Sequence, residues 1–419
     1  MDHQAAGSQC PADVLIIVGA SARALAQSAA MAGWAVHAAD LFADDDLRTA
    51  AVQTTRVDPR GYPSSLMAAA AGFPPGVWCY TGALENYPPL IDDLASVRPL
   101  AGNAGAAVRA VRDPFLVAEA ARAAGLLVPD THRLPTGLPR DGSFLVKPRA
   151  SGSGRSIHHW TPGAPDHRHE AMIWQRHVPG VPHAASFIMA RGRARLLGLS
   201  RQLIGEPWCL GGPFAYGGSV TLSAAEWPSR LAATAAAVGR VLAERFDLVG
   251  AVGVDFVVDA DGRPWILEVN PRVTASMELH ERATGVSIAA AHLEACTVPR
   301  PTASRPADTG DGRNWAKAVL HAATPLPITT ERVAEWRTRA EQWGSDDGGR
   351  PAIADIPTPG QVLAPRAPVF TVFAQGNSAD AAVAAIRSRA LVLAAEWMPS
   401  VSPPSAAVPP PPPHARCTA

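Results

Sequence analysis

The sequence predicts a mixed protein, α/β at its N-terminus and α+β beyond, on three observations. Residues 13–40 run strand, loop, helix, strand, the order of a parallel α/β unit. Residues 251–272, AVGVDFVVDADGRPWILEVNPR, read as two strands around a tight turn, with acidic and amide side chains gathered on one face. A break rich in Pro, Thr and Asp at 299–312 precedes a smaller region of short strands and a helix. With 419 residues and 47% hydrophobic composition, the chain can support about two to four domains with cores of their own.

In order, Asp13 to Gly19 is an apolar strand, followed by Ala20-Ser21-Ala22-Arg23 and an alanine-rich helix through Met31. A second strand runs from Trp34 to Ala39 and ends at Asp40. Gly19-Ala20-Ser21 lacks the glycines of a dinucleotide fingerprint. Ser21 and Arg23 at the helix start would either hold an anion or cap the helix. Asp113 to Gly125 reads as helix, and Phe144 to Lys147 as a short strand running into the loop Pro148-Arg149-Ala150-Ser151-Gly152-Ser153-Gly154. Such a loop lets backbone N–H groups approach phosphate oxygens, while lysine adds a compact positive charge. Of 37 basic residues only Lys147 and Lys317 are lysine, so a point charge at this place stands out.

Gly198 to Gln202 and Pro213 to Ser219 set polar groups beside glycines. They read equally well as a substrate-contacting loop or a plain surface loop, with Arg201, Gln202, Tyr216 and Gly217 as candidate contacts. In the 251–272 segment, an Asp261-Gly262 turn places Asp255 opposite Glu268, with Asn270 on the same face. The other face then carries Val254, Phe256 and Val258 opposite Val269, Leu267 and Trp265. Two adjacent carboxylates repel unless a cation or proton compensates, and replacing Glu268 by Gln is expected to leave the metal-free fold as stable or more stable. Hard oxygens of this kind suit Mg²⁺ or Mn²⁺ with phosphates completing the shell. Glu278 to Ala295 reads as one helix, and Ala379 to Glu396 as another after strands at Pro368 to Ala374.

Composition excludes some partners. Zero formal charge and a pI of about 7.2 leave no footprint for nucleic acid or anionic membrane. No run approaches the roughly 20 apolar residues of a membrane span, and residues 1–11 are unlike a secretory signal. Five scattered cysteines (Cys10, Cys79, Cys209, Cys296, Cys417) read as reduced thiols of a cytoplasmic protein. His280-Glu281 lacks the second histidine of a zinc motif, since position 284 is Thr284. His158, His159, His167 and His169 read as a solvated connection rather than a metal site.

Lys147 with its Ser/Gly loop, Ile173-Trp174-Gln175-Arg176-His177-Val178, Gly253-Val254-Asp255-Phe256 and Leu267-Glu268-Val269-Asn270-Pro271-Arg272 resemble the ATP-grasp superfamily in order and spacing. The resemblance implies two α+β subdomains closing on ATP and a carboxylate activated as an acyl phosphate. It implies phosphate contacts from Lys147 and the Ser151–Gly154 loop, and adenine held by backbone groups of Gln175, Arg176, His177 and Val178. Asp255, Glu268 and Asn270 would face Mg²⁺, with Arg272 near the transferred phosphoryl group. Lys147 and Arg272 are the implied catalytic residues. Where such proteins carry a further phosphate-contacting lysine, this chain offers Arg112.

The Gly82–Asn86 turn, Tyr216-Gly217-Gly218 and Ala354-Asp355-Ile356-Pro357 resemble a branch of predicted carboxylate-amine ligases similar to the tyramine–glutamate ligase of methanofuran biosynthesis. The function implied is ATP-dependent amide formation from a small carboxylate and an amine, releasing ADP and phosphate, in assembly of a C1-carrier coenzyme. The alternatives are a bicarbonate-activating carboxylase or a nucleotide-binding regulatory protein without catalysis. A homodimer is compatible with this reading. The implied division is a disordered segment at 1–10, a pre-ATP-grasp α/β domain at 11–105 and an ATP-grasp domain at 106–300, whose ATP-covering part is about 140–205. A linker at 301–313, an α+β region at 314–398 and a disordered proline-rich tail at 399–419 follow.

Overall fold

The computed structural model describes residues 13–164, 171–301, 312–345 and 349–397. The N-terminal segment, most of the linker, the tail, His167, His169, Cys10 and Cys417 lie outside the described residues.

The β-branched run Val14–Gly19 forms the centre of a four-stranded parallel sheet, ordered Gln53–Arg56, Ala35–Asp40, Val14–Gly19, Val77–Tyr80. Successive side chains of that strand point to opposite faces, and each face has its own core. Leu15 and Ile17 pack with Leu25 and Ala29 of helix Arg23–Met31. Ala289 and Leu293 of helix Ile288–Ala295 join the same cluster, so a distant part of the chain docks onto this sheet. Ile16 and Val18 face Leu66, Trp78, Ile91 and Val108 on the other side.

The body of the molecule is an eight-stranded sheet. Its order is Pro264–Asn270, Gly250–Val258, Val181–Ala190, Arg193–Ile204, Tyr216–Thr221, Asn314–His321, Pro368–Gly376, Ile353–Ala354. Strands from the 314–398 region therefore extend the same sheet that carries the acidic hairpin. A second antiparallel sheet, Thr131–His132, Met172–Arg176, Phe144–Pro148, His158–His159, stands over it with Phe144, Val146, Trp160, Met172 and Trp174 as its small core. A two-stranded antiparallel sheet of Leu326–Pro327 and Val362–Leu363 completes the pairing.

Two local expectations change. Gly198 to Gln202 is no loop: it lies inside the strand Arg193–Ile204, because its polar residues alternate between faces and find partners on each. The helix expected from Glu278 to Ala295 is two helices, Met277–Thr284 and Ile288–Ala295. Gly285, at φ 70°, ends the first, and Ser287 caps the second by accepting from Ala290 N–H.

The three parts of the chain meet at Glu278. Its buried carboxylate accepts from both terminal nitrogens of Arg23 and, at 3.1 Å, from Lys317 Nζ, while Arg282 lies 3.7 Å away. Arg23 belongs to the parallel domain and Lys317 to the strand Asn314–His321. These cations outweigh the upward push of burial and hold Glu278 well below the usual carboxylate range. Glu278→Ala strands buried cations without their common partner, so equilibrium denaturation should show a loss of about 3–5 kcal/mol. A loss below about 1 kcal/mol would show that the junction does not depend on this charge.

Candidate functional site

One cleft of about 1030 Å³ opens between the parallel domain, the small antiparallel sheet and the large sheet. Lys147, Ser151–Gly154, Gln175–Val178, Gln202, Tyr216, Asp255, Glu268, Asn270, Arg272 and Arg112 all line it.

The hairpin brings the acidic groups together by a route the sequence did not suggest. The loop has three residues, 260–262, closed by Gly262 N–H to Asp259 C=O at 2.9 Å and Asp259 N–H to Arg263 C=O at 3.1 Å. Gly262 sits at φ 72°, the left-handed position that such three-residue loops reserve for glycine. That extra loop residue shifts Val257 opposite Trp265, and a bulge at Leu267 shifts the pairing back. Asp255 therefore opposes Glu268 as expected, with Val254 opposite Val269. Closer to the loop, Ile266 rather than Leu267 enters the core and Trp265 is half-buried.

Asp255 accepts from Gln202 Nε2 at 2.8 Å and Asn270 Nδ2 at 3.0 Å. Burial, with the Glu268 charge beside it, raises its carboxyl from the ordinary 3.8 to about 6. Burial also pushes Glu268 upward, but the Arg112 guanidinium and Lys147 ammonium win and hold it below its ordinary value. Arg112 Nη1 donates to Glu268 and reaches the Val269 carbonyl at 3.3 Å. The pair is thus unequal: Glu268 is compensated, and Asp255 carries the strain. The expectation that removing the Glu268 charge relieves repulsion is overturned, because it leaves Arg112 and Lys147 without their anion; the uncompensated member is Asp255.

Lys147 Nζ donates to Gln175 Oε1 at 3.0 Å, and Gln175 Nε2 donates to Thr131 at 3.3 Å. The Gln175 side chain fixes the lysine rather than standing as a bare hinge residue. Burial lowers Lys147 from its ordinary value, against the pull of Glu268 and Asp255. Arg176 N–H and His177 N–H already donate to the Asp130 and Ser143 carbonyls, at 2.7 and 2.8 Å. In the glycine loop Ser153 and Gly154 both have positive φ, 56° and 74°. A Cβ on Gly154 would stand 1.7 Å from the Phe214 carbonyl oxygen, so only glycine lets this loop pack against Pro213–Tyr216.

Arg272 is locked by Glu85, at 2.7 Å from Nε and 2.6 Å from Nη2, and Glu85 is almost wholly buried. Glu85 comes from the parallel domain and was missed as a site residue: it sits in the Gly82–Asn86 turn, and only its depth gives it meaning. Three candidates depart from the cleft chemistry expected of them. Arg23 lines the cleft, but its guanidinium is saturated by Glu278 and by Asp355 at 2.8 and 3.1 Å, which leaves it no capacity for an anion. Arg201, one residue from Gln202, points to the opposite face and binds Asp380 at 2.7 Å. Gly217 faces Cys209 and the Leu203 carbonyl, while Tyr216 reaches the cleft with its hydroxyl 2.8 Å from Ser219. Ser21 lines the cleft.

Asp255, Glu268 and Asn270 supply hard oxygens with crowded negative charge, a donor set that fits Mg²⁺. Among the described residues no group of three or more His, Cys, Asp and Glu gathers as a self-sufficient metal site. A cation here would therefore share its shell with ligand oxygens. Cys79, Cys209 and Cys296 are free thiols. Among the described residues no helix is long and apolar enough to cross a membrane.

Residues 111–276 match the family model of the ATP-grasp domain. Among solved structures, the chain is similar to an N5-carboxyaminoimidazole ribonucleotide synthetase in complex with ADP (16% identity, TM-score 0.65, covering 93% of this chain and 99% of that one). It is also similar to the L-amino acid ligase of Bacillus licheniformis (14% identity, TM-score 0.61, 91% and 97% covered). A third is the biotin carboxylase domain of the Hydrogenobacter thermophilus 2-oxoglutarate carboxylase, with MgADP and bicarbonate (12% identity, TM-score 0.62, 90% and 89% covered). At such identities the shared property is the fold. Among curated proteins none matches the chain in sequence.

The unequal carboxylates give a pH signature. Asp255 is raised on folding, so the metal-free protein is favoured with the group protonated, and its stability declines as pH rises from 3.8 towards about 6. Asp255→Asn should flatten that part of the stability profile and raise the melting temperature at pH 7. Glu268→Gln should lower it instead. Equal shifts of the same sign in the two variants would refute this charge assignment.

Proposed function

We propose that the protein is an ATP-dependent carboxylate-amine ligase that releases ADP and phosphate, a reading supported by the match of residues 111–276 to the ATP-grasp family model. The observation that carries this reading is the convergence, in one cleft, of a half-buried lysine, a glycine-rich loop, an Asp/Glu/Asn set and a locked arginine.

The reaction is phosphoryl transfer followed by acyl substitution. A substrate carboxylate oxygen attacks the γ-phosphorus of ATP, breaking its bond to the β-phosphate oxygen and leaving ADP. The amine nitrogen then attacks the acyl carbon, the C–O bond to phosphate breaks, and the amine protons leave with phosphate and solvent. Such a sequence asks for positioning and charge neutralisation more than for covalent catalysis. Lys147, aimed by Gln175, faces the phosphates, and the Ser151–Gly154 loop covers them with backbone N–H groups. Asp255, Glu268 and Asn270 would hold Mg²⁺, which when bound supplies charge neutralisation along the phosphates. Gln202 orients Asp255, and Glu85 fixes the fork of Arg272 towards the transferred phosphoryl group. Arg112 would turn to the phosphates where related proteins place lysine.

The narrower placement in assembly of a C1-carrier coenzyme rests on the sequence resemblance. A cytoplasmic location suits an ATP-consuming enzyme with free thiols. A carboxylase would share the phosphoryl-transfer half and differ in taking bicarbonate in place of an organic acid.

A panel of carboxylates and amines, assayed for ATP-dependent phosphate release, should yield ADP and phosphate with at least one pair. AMP and pyrophosphate would mean adenylation and overturn the acyl-phosphate route, and turnover with bicarbonate alone would favour the carboxylase. Lys147→Ala removes a point charge facing the phosphates and should cost about 2–4 kcal/mol in kcat/KM for ATP. Wild-type kinetics in that variant would remove Lys147 from the site.

A further inference from the structure

A second acidic cluster stands behind the wall of the same cleft built by the parallel domain, with Asp44 and Asp355 as its members that line the cleft. Five carboxylates gather there: Asp40, Asp44, Asp46, Asp355 and Glu278. Three cations face them, Arg23, Lys317 and Arg282, each engaged by Glu278, and Arg23 also by Asp355. Asp40 is satisfied without a cation, accepting from the N–H groups of Ala22, Phe42 and Ala43 at 2.6–2.7 Å. Asp46 accepts Asp355 N–H at 3.0 Å and lies 3.6 Å from Arg23 Nε.

Asp44 is the exception. It is 5% exposed and lines the cleft, yet its carboxylate accepts no hydrogen bond among the described residues. It stands at the N-cap position of helix Asp45–Ala50, where an aspartate ordinarily accepts a backbone N–H, and it makes no such bond. Burial and the charges of Asp355, Asp40 and Asp46 push this carboxyl well above its ordinary value, and the one cation pulling the other way, Arg23, already donates to Glu278 and Asp355. A ligand that brings its own donor and charge would relieve that cost. The surroundings indicate what kind of ligand: Leu41, Phe42 and Phe370 line the same cleft.

We propose that Asp44, with Asp355 beside it, binds the ammonium end of an organic amine whose apolar body lies against Leu41 and Phe42. An amine fits better than an inorganic cation, because among the described residues no three or more His, Cys, Asp and Glu are placed to hold a metal ion, whereas Leu41 and Phe42 offer contact to a carbon skeleton. It fits better than an α-amino acid, because Arg23, Lys317 and Arg282 are already engaged and leave no partner for a neighbouring carboxylate. That this amine is the acceptor substrate rests on the ligase reading above; that the cleft binds it does not.

The test is calorimetric titration of the full-length, nucleotide-free protein with benzylammonium chloride, with its neutral counterpart benzyl alcohol, and with glycine. Each is run on the wild type, Asp44→Asn and Lys147→Ala, alongside MgATP. Benzylammonium should bind the wild type at least about tenfold more tightly than benzyl alcohol or glycine, since a charge-assisted hydrogen bond is at stake. Asp44→Asn should lose that advantage and keep its MgATP affinity, which also shows that it is folded. Lys147→Ala should do the reverse. Equal affinity for benzylammonium and benzyl alcohol, no benzylammonium binding, or undiminished binding to Asp44→Asn would each overturn the proposal. Should Asp44→Asn fail to fold, the comparison of charged with neutral ligand on the wild type decides alone. MgATP binding insensitive to Lys147→Ala would sink the ligase reading and leave the amine result standing.

Discussion

Buried negative charge around one cleft is the constraint on which the rest of this structure depends. Three of the glutamates there take cations supplied from other parts of the chain. Glu85 takes Arg272, Glu268 takes Arg112, and Glu278 takes Arg23 and Lys317. Every one of these pairs crosses a junction between parts of the fold. Buried ion pairs of this kind gain little net stability over apolar packing, but losing one partner is expensive. They specify how the parallel domain, the acidic hairpin and the C-terminal strands must meet, because any other docking would strand a charge.

The same constraint accounts for the choice between arginine and lysine. Arg23, Arg112 and Arg272 each touch more than one acceptor, and a planar fork of donors suits that. Both lysines of the chain line the cleft, Lys317 buried and Lys147 half-buried, with Gln175 as side-chain acceptor for Lys147 and Glu278 for Lys317. A single ammonium on a flexible stem is the group best able to exchange one acceptor for another.

Local pattern made much of the fold legible. The strand–helix–strand opening, the Lys147 strand, the helix after Asp113 and the final strand and helix follow from apolar periodicity, caps and turn residues. The pairing of Asp255 with Glu268 was legible too, although by two compensating departures: a three-residue loop and a bulge at Leu267. Turn chemistry alone does not report a bulge six residues away. Polar residues misled where a strand has two useful faces, as at Ser200, Arg201 and Gln202, which read as loop. Arg23 misled in another way. A basic residue at a helix start looks available to an anion until the remote carboxylates of Glu278 and Asp355 are in place, and neither position announces that contact. Glu85, Glu278 and Asp44 were invisible as site residues for the same reason: their character comes from burial and from partners more than 100 residues distant, or from having none.

The charge arrangement also bears on how ligands would enter. Without ligand, Arg112 serves Glu268 while Asp255 relies on the amides of Gln202 and Asn270. On the ligase reading, a divalent cation arriving with nucleotide would compensate both carboxylates at once. Arg112 would lose its hold on Glu268 and face the phosphates, whose charge it can meet with a bidentate fork. The exchange would keep Glu268 and Arg112 partnered both before and after binding. On that reading an arginine would stand in for the lysine such proteins carry, serving one anion in the empty cleft and another in the filled one. Its reach to the Val269 carbonyl and the Asn270 side chain, at 3.3 and 3.5 Å, keeps it beside the metal-facing edge while it changes partners.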